Sequence, residues 1–168
     1  FYYRKEYNQD QKLTKSFSSK DGIIWHLDAT NTYHDYGPAK RKRLGHYGAQ
    51  GLDYTYNIHG QLIGINTPLL DTNNDPGNDG NTTSPHWIPK DVFGQHISHY
   101  RGEYGRSSSP LRTETNAHSA AFDLFNSNIA STSHRHDHDF GDGFNHIGHL
   151  IQYDELSRIR KFRFRENT

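Results

Sequence analysis

The clearest alternation of apolar and polar side chains lies between Gly51 and Asn66, where Leu52, Tyr54 and Tyr56 alternate with polar residues and Leu62, Ile63 and Ile65 follow a short polar interruption. The segment reads as strand, turn, strand. Its spacing is a Tyr (Tyr56), Asn at +1 (Asn57), Gly at +4 (Gly60) and Leu at +6 (Leu62). The same spacing recurs at Tyr153, with Asp154, Ser157 and Ile159; at Tyr7, with Asn8, Gln11 and Leu13; and at Tyr33, with His34, Gly37 and Ala39. Asn first and Gly fourth suit a type I turn followed by a left-handed residue, the three-residue hairpin loop with a bulge. That loop puts Tyr56 opposite Leu62 as a cross-strand pair. A two-residue loop would instead pair Tyr54 with Ile63 and Leu52 with Ile65, and a one-residue slip reverses every side chain. The apolar +6 position recurs in all four copies, so the first register is expected, with one β-hairpin per copy.

The tyrosines are separated by 26, 23 and 97 residues, and the last interval is near four units of about 24. Two further strands are expected there, Val92 to Tyr104 and Phe122 to Ser133. Ala120, Ala121, Leu124 and Phe125 also fit helical spacing. Strand is preferred, because Asn126-Ser127-Asn128 is a poor helix interior. The run from Asp71 to Ser84 is rich in Asn, Asp, Gly and Thr, and Gly105 to Pro110 in Ser and Gly. Residues 67–90 and 105–120 are therefore expected as loop-rich insertions in a single all-β segment spanning 1–168.

Composition explains why such a ribbon could not rely on a private core. Leu, Ile, Val and Phe together number 32 of 168, close to the ~20% below which disorder threatens. Yet 19 basic and 19 acidic residues cancel, and aromatics reach 13%, which argues for a folded chain. Neutrality removes the bulk electrostatic case for nucleic acid. Absence of cysteine excludes disulfides, Cys-ligated zinc and thiol catalysis. No apolar run is long enough for a membrane helix. A chain without methionine that begins at Phe1 is expected to be a processed product or an internal segment.

YTYNIHGQLIGIN and YDELSRIRKF resemble the YD repeats of the bacterial RHS family, whose repeat runs Tyr-Asp-x-x-Gly-Arg-Leu. Asp75 to Gly80, Asp91 to Tyr104 and Leu124 to Ser131 are similar to pieces of a secreted bacterial branch of that family. The resemblance implies successive antiparallel hairpins forming part of a spiralling β-sheet shell. In polymorphic toxins such a shell encloses a C-terminal toxic domain; in the animal teneurins a similar shell supports adhesion. It implies a secreted or bacterial cell-surface protein, packed against flanking repeats of its own chain or neighbouring subunits, with an enclosed toxin domain as a further partner. The chain departs from the family at Gln11, where Gly is expected, and at Ala39, where the aliphatic residue is small. The family's terminal core motif, with its self-cleavage segment, has no counterpart in these residues.

Candidate chemistry is sparse. His134, His136 and His138 alternate along one strand face and could offer imidazoles to Zn²⁺ or Ni²⁺. Alternate side chains on a strand stand roughly 7 Å apart, however, and a solvated hairpin end is the plainer reading. Asp71-x-Asn73-x-Asp75 and Asp79 begin like a calcium loop, but an EF-hand needs Gly sixth and Glu twelfth, where Pro76 and Thr82 stand, so an Asx-rich turn is expected. The basic runs Lys40–Arg43 and Arg158–Arg165 are expected on solvated strand faces or a shell wall. Gly-x-Ser-x-Gly elbows, HExxH and P-loops are absent. The chain is thus expected to be non-enzymatic and cofactor-free, a structural shell segment. The competing reading is a cell-surface binding module whose exposed aromatics, Trp25 and Trp87 among them, recognise glycans or a partner protein.

Overall fold

A computed structural model of the chain describes residues 1–81, 88–101, 103, 121–137 and 146–167. The expected all-β arrangement of successive antiparallel hairpins is present. Among the described residues ten antiparallel strands form one sheet in strict chain order: β1 (Tyr2–Tyr7), β2 (Leu13–Ser19), β3 (His26–Tyr33), β4 (Ala39–Leu44), β5 (Gln50–Tyr56), β6 (Leu62–Ile65), β7 (Phe93–Ser98), β8 (Ser131–His136), β9 (His146–Tyr153) and β10 (Ile159–Asn167). Among the described residues each strand pairs with the strand before and the strand after it. Among the described residues no helix is long and apolar enough to cross a membrane.

Four hairpin ends share one construction. In the β5–β6 hairpin Tyr56 pairs with Leu62 and Tyr54 with Ile65, with a bulge after Thr55. The Asn57 N–H donates to the Gln61 carbonyl, the Gly60 N–H donates to the Asn57 carbonyl, and Gly60 takes φ +79°. The ends of β1–β2, β3–β4 and β9–β10 repeat this, pairing Tyr7 with Leu13, Tyr33 with Ala39 and Tyr153 with Ile159. The Asn or Asp after the tyrosine has a local job. Asn8, Asn57 and Asp154 each accept the backbone N–H four residues on, at 2.9, 2.9 and 3.0 Å. His34 lacks that oxygen and stacks on Tyr36 instead.

The left-handed position is filled by Gly37 and Gly60 but also by Gln11 (φ 61°) and Ser157 (φ 59°). An L side chain costs ~1–2 kcal/mol there, and glycine returns part of the gain as unfolded-chain entropy. The double variant Gln11→Gly/Ser157→Gly is therefore expected to gain about 1 kcal/mol in urea unfolding; an unchanged or lower midpoint would contradict the turn assignment.

The two remaining strand expectations are shortened. In the first, β7 stops at Ser98, because the His99 N–H donates to the Glu103 carboxylate rather than to a neighbouring strand. In the second, the part from Phe122 to Ala130 is not strand. Asn126 accepts the Asn128 N–H in an Asx turn and Ser127 takes φ 70°, so extended backbone begins only at Ser131. Residues 105–120 lie outside the described residues, as do Trp87 and His138.

The sheet carries a second layer on one face. From Asn66 onward the chain leaves β6 and crosses the face bearing Gly51, Asp53, Gly94 and Arg135. Asn66, fully buried, sets this departure: its side chain accepts the Asp53 N–H and donates to the carbonyls of Gly51 and Phe93. The Arg135 guanidinium donates to the Leu69 carbonyl at 3.1 Å. Packing is thin, as the composition implies. Buried apolar side chains among the described residues are Ala29, Ile63, Leu70, Ile88, Ala130 and Leu150, outnumbered by buried polar ones.

Candidate functional site

The polar layer converges on Arg41. Strand register puts Arg41 on β4 directly opposite Asp53 on β5, both beneath the crossing segment. Gly51 and Gly77 lie against the guanidinium; a Cβ on either would overlap it and a neighbouring carboxylate, so a side chain at either position would displace the ion pair. Arg41 Nη1 donates to Asp53 Oδ2 at 2.6 Å, and Nη2 donates to Asp79 Oδ1. The arginine side chain is 17% exposed and its partners less, so the fork is largely removed from water.

Two more aspartates complete the group. Asp75 Oδ2 accepts the Asp79 N–H at 2.6 Å, which fixes the loop between them. One carboxylate oxygen from each of Asp53, Asp75 and Asp79 lies within 4.8 Å of the other two. Asp91, just before β7, receives Gln50 Nε2 at 2.6 Å and stands against the Asp75 carboxyl. Burial, then the Asp75 carboxylate, pushes Asp91 up to about 9. Burial also pushes Asp53 up to about 6 against the opposing pull of Arg41, and it raises Asp79. For Arg41, burial alone would lower the pKa; Asp53 and Asp79 outweigh it and the guanidinium is held more firmly charged. The chemistry is that of hard oxygen donors around a guanidinium, able to hold a proton or an oxygen-seeking cation.

Part of this site is visible in the sequence. Asp75 and Asp79 fall in the expected Asx-rich turn, and Asp71 does form one, accepting the Asn73 N–H at 3.0 Å while its other oxygen receives Asn74 Nδ2. No local spacing marks Asp53, Asp91 or Arg41. Arg41 stands in a basic run expected on a solvated strand face or a shell wall; strand alternation instead turns Arg41 inward beneath the crossing segment, while Lys40 is exposed. The usable signal is Asp53, a carboxylate on the same phase of β5 as Gly51 and Thr55.

The repeat residues Tyr7, Asn8, Leu13, Tyr33, Gly37, Tyr56, Asn57, Gly60, Leu62, Tyr153, Asp154 and Ile159 lie at the four hairpin ends and do not converge on the aspartates. Neighbouring ends do touch. Tyr33 Oη donates to the Leu13 carbonyl at 2.8 Å, His34 packs edge-on to Tyr56, and Asn57 Nδ2 donates to Glu103 at 2.5 Å.

His134 and His136 sit on the opposite sheet face, within an aromatic ladder across β7 to β10. Phe93 contacts His136, His136 meets His134 edge-on at 5.4 Å, His134 stacks on His149 at 5.6 Å, and His149 meets Phe162. Burial, then His136 and His149, lowers the His134 pKa, so this ring stacks as a neutral aromatic. His134 and His136 are not in the metal-spaced group, which among the described residues is Asp53, Asp75 and Asp79.

No protein-family model matches the chain, and no curated protein matches it significantly.

Proposed function

We propose that the chain is a structural segment of an exported β-hairpin shell of the RHS/YD-repeat kind, one that encloses or displays a separate effector domain. The observation that carries this reading is the strict serial order of the ten strands among the described residues, each bonded to its chain neighbours and closed at four ends by the same Tyr-led bulged turn. Stability in such a ribbon comes from nearest-neighbour contacts, as in other repeat architectures, so a stretch of it has little cohesion of its own. The aromatic face supports the same reading. Leu52, Tyr54, Tyr56, Ile65, Phe93, Ile97 and Ile151 are half-buried rather than buried, and Phe162 and Phe164 at the edge are exposed. A curved wall covers such a face with its own later turns.

The experiment is thermal unfolding and sedimentation of the chain alone. A shallow, low-melting transition with concentration-dependent association is expected. A monomer that melts cooperatively at high temperature would defeat the reading, because a self-sufficient domain needs no adjoining wall.

A further inference from the structure

We infer that Asp53, Asp75 and Asp79, with Asp91 beside them, form a calcium site that pins the crossing segment 66–81 to the sheet. This does not rest on the shell reading. It starts from charge. Asp53 and Asp79 touch the one guanidinium and Asp75 and Asp91 stand against those carboxylates without it, so full ionisation leaves a large negative excess where little water reaches. Burying charge without compensation is strongly unfavourable, and it must be met by protons or by a cation.

The orphaned oxygens say where the ion goes. Asp79 and Asp91 are each only 3% exposed, yet Asp79 Oδ2 and Asp91 Oδ2 have no hydrogen-bond donor, and neither has Asp75 Oδ1. The other oxygen of each is engaged: by Arg41 for Asp79, by Gln50 for Asp91, and by the Asp79 N–H for Asp75. Each carboxyl is thus anchored by one oxygen and left unpartnered at the other, the arrangement of monodentate ligands held by a supporting layer. Buried acceptors in folded proteins are almost always paired. The Asp75 and Asp91 carboxyls can share a proton, but Asp79 Oδ2 is left buried and unpartnered in the group where oxygens of Asp53, Asp75 and Asp79 lie within 4.8 Å of one another, which points to an electrophile held among them.

All candidate ligands are oxygen, which excludes preference for the softer transition metals. Calcium fits better than magnesium. The donors come from a turn-rich loop and from strand β5 rather than one rigid element, and calcium accepts irregular sets of six to eight oxygens, including loop carbonyls and water. Asp71 is outside the set. Both its oxygens are occupied within its own turn, so the site is not an EF-hand loop beginning there.

The test uses the whole chain, stripped with a chelator and titrated calorimetrically with CaCl₂ and with MgCl₂. One Ca²⁺ per chain is expected, about tenfold or more tighter than Mg²⁺, with a higher melting temperature in calcium. Asp79→Asn and Asp91→Asn should each weaken calcium about tenfold or more, whereas Asp71→Asn should stay within about twofold. No heat and no melting shift in the unaltered chain up to about 5 mM CaCl₂ overturns the proposal, since protons then suffice. It is equally overturned by calcium binding that survives both Asp79→Asn and Asp91→Asn, or that Asp71→Asn abolishes. The reading on the unaltered chain decides even where a variant folds poorly.

Discussion

Replacing Arg41 with methionine is expected to cost about 3–5 kcal/mol of stability at pH 8, the loss seen when one partner of a buried ion pair is removed. Methionine keeps much of the stem and its packing, so the effect isolates the guanidinium. Asp53 and Asp79 then lose their shared donor while remaining 4% and 3% exposed, and Asp75 and Asp91 add to the repulsion. Against a total stability of ~5–15 kcal/mol this approaches the whole margin of a thinly packed fold. Acid should rescue it. A carboxyl whose folded pKa is raised binds its proton more tightly in the folded chain, so stability grows as pH falls through that pKa. Asp53 already sits at about 6 with Arg41 present, and removing the guanidinium raises it further. The deficit of Arg41→Met relative to the unaltered chain should therefore shrink from pH 8 to pH 5. Urea unfolding of both chains at the two pH values is the measurement. A loss under about 1 kcal/mol at pH 8 would mean that water reaches the cluster after all.

The substitution Gly94→Ala should be comparably damaging, by a different route. Gly94 faces the underside of the crossing segment, and its added Cβ would overlap the Thr67 carbonyl and the Pro68 nitrogen. Both obstacles are backbone, and both residues are buried, so no rotamer change gives relief. The segment must lift from the sheet, uncovering Leu70 and Ile88 and separating Asp79 from Arg41. A cost of about 3 kcal/mol, the upper end for overpacking, is expected, with new protease cleavage between residues 67 and 81. Gly60→Ala is the informative contrast. An alanine methyl at position 60 would meet nothing within 4 Å, but the backbone there sits at φ +79°. Alanine then costs only the left-handed penalty of about 1 kcal/mol and leaves the segment seated. Equal effects at the two glycines would refute the contact at Gly94.

Hairpin formation is legible in the sequence because every determinant lies within a few residues of the turn. Tyr56, Asn57, Gly60 and Leu62 specify a turn, its bulge and one cross-strand pair, and the same chemistry acts at Tyr7 and Tyr153 with Gln11 and Ser157 strained in place of glycine. The strand ends in the second half are less legible. Those ends depend on partners far along the chain, such as Asp123 receiving the Arg101 N–H at 2.7 Å, or the Ala130 N–H reaching the Ser98 carbonyl.

Alternation along β5 places Leu52, Tyr54 and Tyr56 on one face and Gly51, Asp53 and Thr55 on the other, but it does not say which face is covered. A hydrophobic argument alone would bury the aromatic phase. The folded chain buries the small and polar phase instead, because glycines at 51 and 94 let a second backbone approach and Asn66 and Arg41 satisfy the groups that approach would strand. Local residue order is therefore enough to specify a serial ribbon of bulged hairpins with little core. It is not enough to bring Arg41, Asp53, Asp75, Asp79 and Asp91 into one dry pocket. That gathering requires a loop to cross a particular sheet face, and no local spacing encodes the crossing.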